Sequence, residues 1–210
     1  MNDKDRRPLA SRQTGWAQAV ASWLAATRIT PNQISMLSMV AAAIASVLFW
    51  WSAHLSVWPR SMVLLLAALT CQLRLLCNLF DGMVAVEAGK KTADGPAWNE
   101  FPDRMADVLI FVGVGLAVGS PALGWAAAAF AVSTAYVREL GKGIDGQVDF
   151  NGPMAKPQRM AVITVAAVIT AFEGLWSGQG QLLEWALWLV ALGSLLTAGR
   201  RTAALLQRLS

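Results

Sequence analysis

"CNLFDGMVAVEAGKKTADGPAWNEFPDRMAD" spans residues 77–107 and sets carboxylates into an otherwise apolar chain. It carries Asp81-Gly82, Gly95, and Asp103 and Asp107 one helical turn apart. Outward from it, the runs 35–59, 61–73, 108–137, 160–172 and 185–199 hold no Asp, Glu, Lys or Arg. With 56% of its 210 residues hydrophobic and 14% charged, the chain is too apolar for an ordinary soluble domain. A bilayer-crossing helix needs about 20 mostly apolar residues. "GSPALG" at 119–124 reads as a turn that divides the longest run. The pattern predicts six helices, at 33–54, 61–84, 100–119, 121–140, 158–177 and 181–199. Nothing alternates as barrel strands would, so the expected fold class is an all-α membrane protein.

Residues 1–30 mix Arg6, Arg7, Arg12 and Arg28 with Trp16, Val20, Trp23 and Leu24. The apolar members recur at three and four, which predicts an amphipathic helix on the membrane surface ahead of a six-helix domain at 31–200. Residues 201–210 read as a cytoplasmic tail. Mixed rather than blocked polarity argues against a cleavable leader. Basic residues gather in the N-terminal segment, at Lys90 and Lys91, at Arg138, Lys142, Lys156 and Arg159, and after residue 199. Arg60 alone falls on the opposite side. The positive-inside rule therefore puts both termini and both long loops in the cytoplasm. Trp50, Trp51, Trp58, Trp125 and Trp176 fall near the other face as an aromatic belt. The pI near 9.5 follows from this asymmetry and needs no nucleic-acid partner. Cys71 and Cys77 face different directions on one helix and cannot bridge each other.

On the second helix, Arg74, Asn78, Asp81 and Ala85 recur at four, three and four and share a face. On the third, Asn99, Asp103 and Asp107 recur at four. A short loop makes these helices antiparallel neighbours, so the two faces are expected to form one polar pocket at the cytoplasmic boundary. Oxygen-rich groups suit hard cations, and phosphates complete the shell of such ions. Ionisable residues at membrane depth are functional candidates. The plainer reading of Asp103 and Asp107 is a favourable carboxylate near a helix N-terminus. For Gly82 and Ala85 it is close helix packing, and for Arg74 it is a buried counter-ion to Asp81.

These residues resemble the CDP-alcohol phosphotransferases, whose pattern is D-x2-D-G-x2-A-R-x8-G-x3-D-x3-D. Laid on the chain it gives Asn78, Asp81, Gly82, Ala85, Val86, Gly95, Asn99 and Asp103, with every spacing kept. Two aspartates have become asparagine and the arginine has become valine. A rival register sets Asp103 and Asp107 as the last two aspartates, but it needs four extra loop residues and loses Gly95. "ITPNQIS" at 29–35 is similar to the Thr-Pro-Asn start of the family's first helix. "REL" at 138–140 and "GPMAKPQR" at 152–159 resemble its acceptor loop.

The resemblance implies transfer of a phosphoalcohol group from a CDP-alcohol to a hydroxyl, with release of CMP, in phospholipid biosynthesis. CDP-diacylglycerol is the expected donor, because the pocket opens into lipid. Asn78, Asp81, Asn99 and Asp103 would hold one or two Mg²⁺ or Mn²⁺ ions. Asp103, or Asp107 if Asp103 is committed to metal, would take the acceptor proton. Thr30, Asn32, Gly82, Ala85 and Gly95 would line the nucleotide. Arg74, Arg138, Lys156 and Arg159 would meet phosphate or an anionic acceptor. The fold implies a homodimer. Losing two carboxylates should leave one tight metal or weaken both. The alternative is a catalytically impaired homologue that binds CDP-lipid or regulates a partner.

Overall fold

A computed structural model describes residues 14–87, 89, 94–175 and 180–210. Arg6, Arg7, Arg12, Lys90, Lys91 and Trp176 lie outside the described residues. Among the described residues seven α-helices follow in order: α1 Gly15–Ala26, α2 Pro31–Ser52, α3 Val57–Glu87, α4 Gly95–Ala117, α5 Pro121–Asp145, α6 Lys156–Ala171 and α7 Gln181–Leu209. A 3-10 turn at Glu173–Leu175 ends the α6 segment. No strand occurs among the described residues.

Local chemistry sets the boundaries. Thr30 caps α2: its hydroxyl accepts from the Gln33 amide at 3.2 Å, and the Gln33 side chain accepts from the Thr30 amide at 3.0 Å. Pro31, at the first helical position, gives up an N–H that would have had no partner anyway. Between α4 and α5, Gly119 takes φ +69, and Pro121 starts the next helix, as "GSPALG" predicts.

Among the described residues four helices are long and apolar enough to cross a membrane: α2, α3, the α6 segment to Leu175, and α7. α4 opens on Glu100, Asp103, Arg104 and Asp107, so its apolar stretch begins only at Val108. The packing is inside-out for water. Small residues such as Ala42, Ala45, Ala67, Ala127, Ala131 and Ala167 are buried, while Leu37, Val40, Leu69, Trp185, Leu192 and Leu196 are exposed. Close approach at small residues, with bulky apolar groups outside, is how helices associate in lipid. The chain is an integral membrane protein on this ground.

Short connections at 53–56 and 118–120 force neighbouring helices to run antiparallel. Hence residues 31, 87, 95, 145 and 156 gather at one end of the bundle, with the acidic stretch. The expectation that α3 and α4 pack side by side is corrected. α2 packs along both of them, and α3 and α4 touch at few points. Ser35, Ser38, Ala41, Ala42 and Ala45 make α2 thin enough to fit between. Gly113 meets α2 so closely that a Cβ there would lie 2.6 Å from the Cα of Ser46. Gly115 faces Gly124 of α5 within the same chain.

α1 packs on α3 through Ala17 and Ala21, and Trp16 meets the edge of Phe80 at 6.1 Å. Trp16, Val20 and Trp23, expected to share an apolar face, are exposed. Cys71 and Cys77 are free thiols.

Candidate active site

The α3 stretch that carries the quoted sequence brings Arg74, Asn78 and Asp81 to the junction of α2, α3 and α4. Asp81 is 4% exposed and accepts from the Ser35 hydroxyl at 2.7 Å. One turn on, Ser38 donates to the side-chain carboxamide oxygen of Asn78 at 3.2 Å. Sequence reasoning missed both serines. Their signal was Ser35 and Ser38 at a spacing of three, a polar stripe in an apolar helix.

Asp103 and Asp107 project from α4 toward the same region, with different surroundings. Asp103 is 7% exposed; one carboxylate oxygen is ion-paired with Lys156 of α6 and the other lies 3.6 Å from Arg74. Asp107 is fully buried, with one oxygen 3.0 Å from Arg74 and the other 2.8 Å from Arg159. Each oxygen thus carries one arginine contact. Arg74 also donates to the Asp103 carbonyl at 3.2 Å. Its ion-pair partners are Asp103 and Asp107, not Asp81. Asp103 and Lys156 lie within electrostatic reach of Asp81.

Arg159, expected beside the acceptor, is instead buried. It donates to the Thr134 hydroxyl at 3.1 Å and the Met154 carbonyl at 3.0 Å besides pairing with Asp107. Arg201 of α7 extends this clasp, donating to the carbonyls of Thr134 and Asn151, each at 2.8 Å. The loop that carries Lys156 is thus tied to α5 and α7. Arg138 pairs with Glu100 and Glu139 and sits over the Phe150 ring at 5.9 Å.

At the edge of the site, Asn32 donates to Asp94, immediately before Gly95, at 3.5 Å. The start of α2, with Thr30, therefore lies beside the start of α4. Gly82 and Ala85 are half-buried and Val86 is exposed. Asn99 is helical in α4, and its side chain lies outside the described part of the structure.

Two features bear on a cation. Among the described residues no three His, Cys, Asp or Glu side chains converge as a metal cluster. Yet Asp81 and Asp103 each keep one buried carboxylate oxygen without a hydrogen-bond partner. Buried polar atoms are normally hydrogen-bonded, so two anionic oxygens in one region that accept none, the Asp103 one 3.6 Å from Arg74, suit a hard cation.

No family model matches the chain. It is 25% identical to phosphatidylinositol phosphate synthase of Mycobacteroides abscessus over 196 residues, covering 88% of this chain and 81% of that one. It is 28% identical to the Streptomyces avermitilis enzyme of the same name over 192 residues, covering 86% and 74%. Its fold matches crystal structures of the Mycobacterium tuberculosis phosphatidylinositol phosphate synthase at 19% identity. With CDP-DAG bound, that protein gives a TM-score of 0.74, covering 90% of this chain and 92% of the other. In complex with manganese and citrate it gives 0.75, covering 90% and 88%. By motif spacing, helical fold and relatives together, the chain resembles the CDP-alcohol phosphotransferases.

Proposed function

We propose that this protein transfers a phosphatidyl group from CDP-diacylglycerol to a hydroxyl acceptor, with release of CMP, in phospholipid biosynthesis. The observation that carries the reading is a pair of buried carboxylate oxygens, one each on Asp81 and Asp103, that accept no hydrogen bond, with only the Asp103 one charge-paired, 3.6 Å from Arg74. Relatives named as synthases of a phospholipid, and a like-folded protein seen with CDP-DAG, support it.

The residues present fit a divalent ion. Asp81 and Asp103 would hold Mg²⁺ or Mn²⁺, with the carboxamide oxygens of Asn78 and Asn99 as neutral ligands. A bound ion of this kind offsets diphosphate charge and stabilises the departing phosphate. Ser35 fixes the Asp81 rotamer through its hydrogen bond. Asp103 takes the acceptor proton. Asp107 holds Arg74 and Arg159 in place, a role that supports the register ending at Asp103 over its rival.

Thr30, Asn32, Gly82, Ala85 and Gly95 line the nucleotide side, where the starts of α2 and α4 meet. Arg138 and Lys156 remain partly open and would face an anionic acceptor, whereas Arg74 and Arg159 act from beneath. Six helices, α2 to α7, span the bilayer, and α1 lies on its surface with Trp16, Val20 and Trp23 toward lipid. Both termini and the site are cytoplasmic by charge asymmetry. The protein works as a homodimer.

The test is CMP release from purified protein in lipid nanodiscs, with CDP-diacylglycerol, Mn²⁺ and a mixture of polyols and polyol phosphates. Wild type should release CMP, and Asp81→Asn and Asp103→Asn should not. No release by wild type sinks the reading. One observation favours a second reading, a binding-only homologue: Asn78, Asn99 and Val86 replace charged motif positions. That protein would bind CDP-diacylglycerol without turnover, and Asn78→Asp with Asn99→Asp would create activity.

A further inference from the structure

We infer that the Lys156 ammonium stands in for a second divalent cation, so that the site takes a single metal ion. The inference rests on the reading above and specifies its metal stoichiometry.

The argument begins with charge. Asp81, Asp103 and Asp107 supply three carboxylates to the junction, and Arg74, Lys156 and Arg159 supply three cations. As built, the cluster is neutral. The diphosphate of a CDP-alcohol, esterified at both ends, carries two negative charges, which one divalent ion balances. A second divalent ion would leave two uncompensated positive charges in a region shielded from water, where repulsion is strong.

Position gives the second part. Lys156 is the first residue of α6 and pairs with one oxygen of Asp103, the other lying 3.6 Å from Arg74. The residues leading into Lys156 are held by Arg159 on the Met154 carbonyl and Arg201 on the Asn151 carbonyl, so the ammonium is presented to Asp103 at the end of a braced segment. Its side chain is 25% exposed, open enough to meet a diphosphate oxygen. Asp81 and Asp103 then each offer the single remaining ion the oxygen that accepts no hydrogen bond, the Asp103 one shared with Arg74 at 3.6 Å. Asn78 and Asn99 fit this arrangement, because a site with a tethered cation has no use for two further carboxylates.

The experiment is Mn²⁺ titration followed by electron paramagnetic resonance, on the full chain in nanodiscs with CDP-diacylglycerol, with CMP release read in parallel. Wild type should bind one Mn²⁺ per chain with an uncoupled six-line spectrum. Lys156→Met should bind Mn²⁺ about tenfold more tightly, since a unit positive charge beside the ligand carboxylate is gone. Asn78→Asp/Asn99→Asp/Lys156→Met should take up two ions and broaden the spectrum by coupling. If Lys156→Met does not fold, Lys156→Gln serves, and the wild-type stoichiometry stands as a test by itself. Two Mn²⁺ per wild-type chain with CMP release would overturn the inference and leave the proposed function intact. Unchanged or weakened Mn²⁺ affinity without the lysine would also overturn it. No bound Mn²⁺ and no CMP release would sink both.

Discussion

Arg74 of α3 and Asp107 of α4 pair at 3.0 Å, fully buried, although the helices that carry them touch at few points. Arg159 of α6 closes on the other oxygen of the same carboxylate at 2.8 Å. One aspartate thus joins three helices beneath the proposed catalytic groups. Ion pairs of this kind contribute little net stability against an apolar replacement, but breaking one strands a buried charge.

Asp107→Asn should therefore act on stability. It leaves two buried arginines without their shared anion, which costs about 3–5 kcal/mol. Thermal unfolding in detergent should show a large drop in Tm. A variant that melts like wild type yet fails to release CMP would instead mark Asp107 as a group that touches substrate.

Ser35→Ala should act on the metal. The hydroxyl holds Asp81 at 2.7 Å, and loss of such a supporting bond weakens metal affinity about 10–100-fold. Mn²⁺ titration reads this directly, while Tm should fall by little. Unchanged affinity would mean that Asp81 holds its rotamer without the serine.

Chelation offers a third check. EDTA treatment should abolish CMP release, and Mn²⁺ or Mg²⁺ should restore it. Release that persists in EDTA would remove the divalent ion from the mechanism.

Gly113→Ala should destabilise the bundle by about 1–3 kcal/mol, as forced overpacking does. Its Cβ would lie 2.6 Å from the Ser46 Cα, where only backbone could give way. Gly143→Ala is the matched control, with nothing within 4 Å of the new Cβ. It should be neutral or stabilise α5 by up to about 1 kcal/mol. Equal Tm shifts for the two would show that the α2–α4 contact is slack.

The helices themselves were legible from composition. A charge-free run of membrane length is helical in lipid, and the described elements are helices, four of them long and apolar enough to cross a membrane. Thr30-Pro31 and "GSPALG" marked their boundaries because capping and turn chemistry are local. The motif residues were legible as well, since fixed spacing on a helix fixes which side chains share a face.

Partners across helices were not legible. Spacing on α3 suggested that Arg74 answers Asp81, and only the interposed α2 gives Asp81 to Ser35 and Arg74 to Asp107. Arg159 and Lys156 sit three residues apart in the first turn of α6, yet one is buried beneath the site and the other reaches its open edge. Sequence alone determined which residues are apolar, helical and acidic, because those properties belong to each residue and its near neighbours. Tertiary structure decided which charge meets which, because an ion pair depends on distances between segments that the chain brings together only on folding.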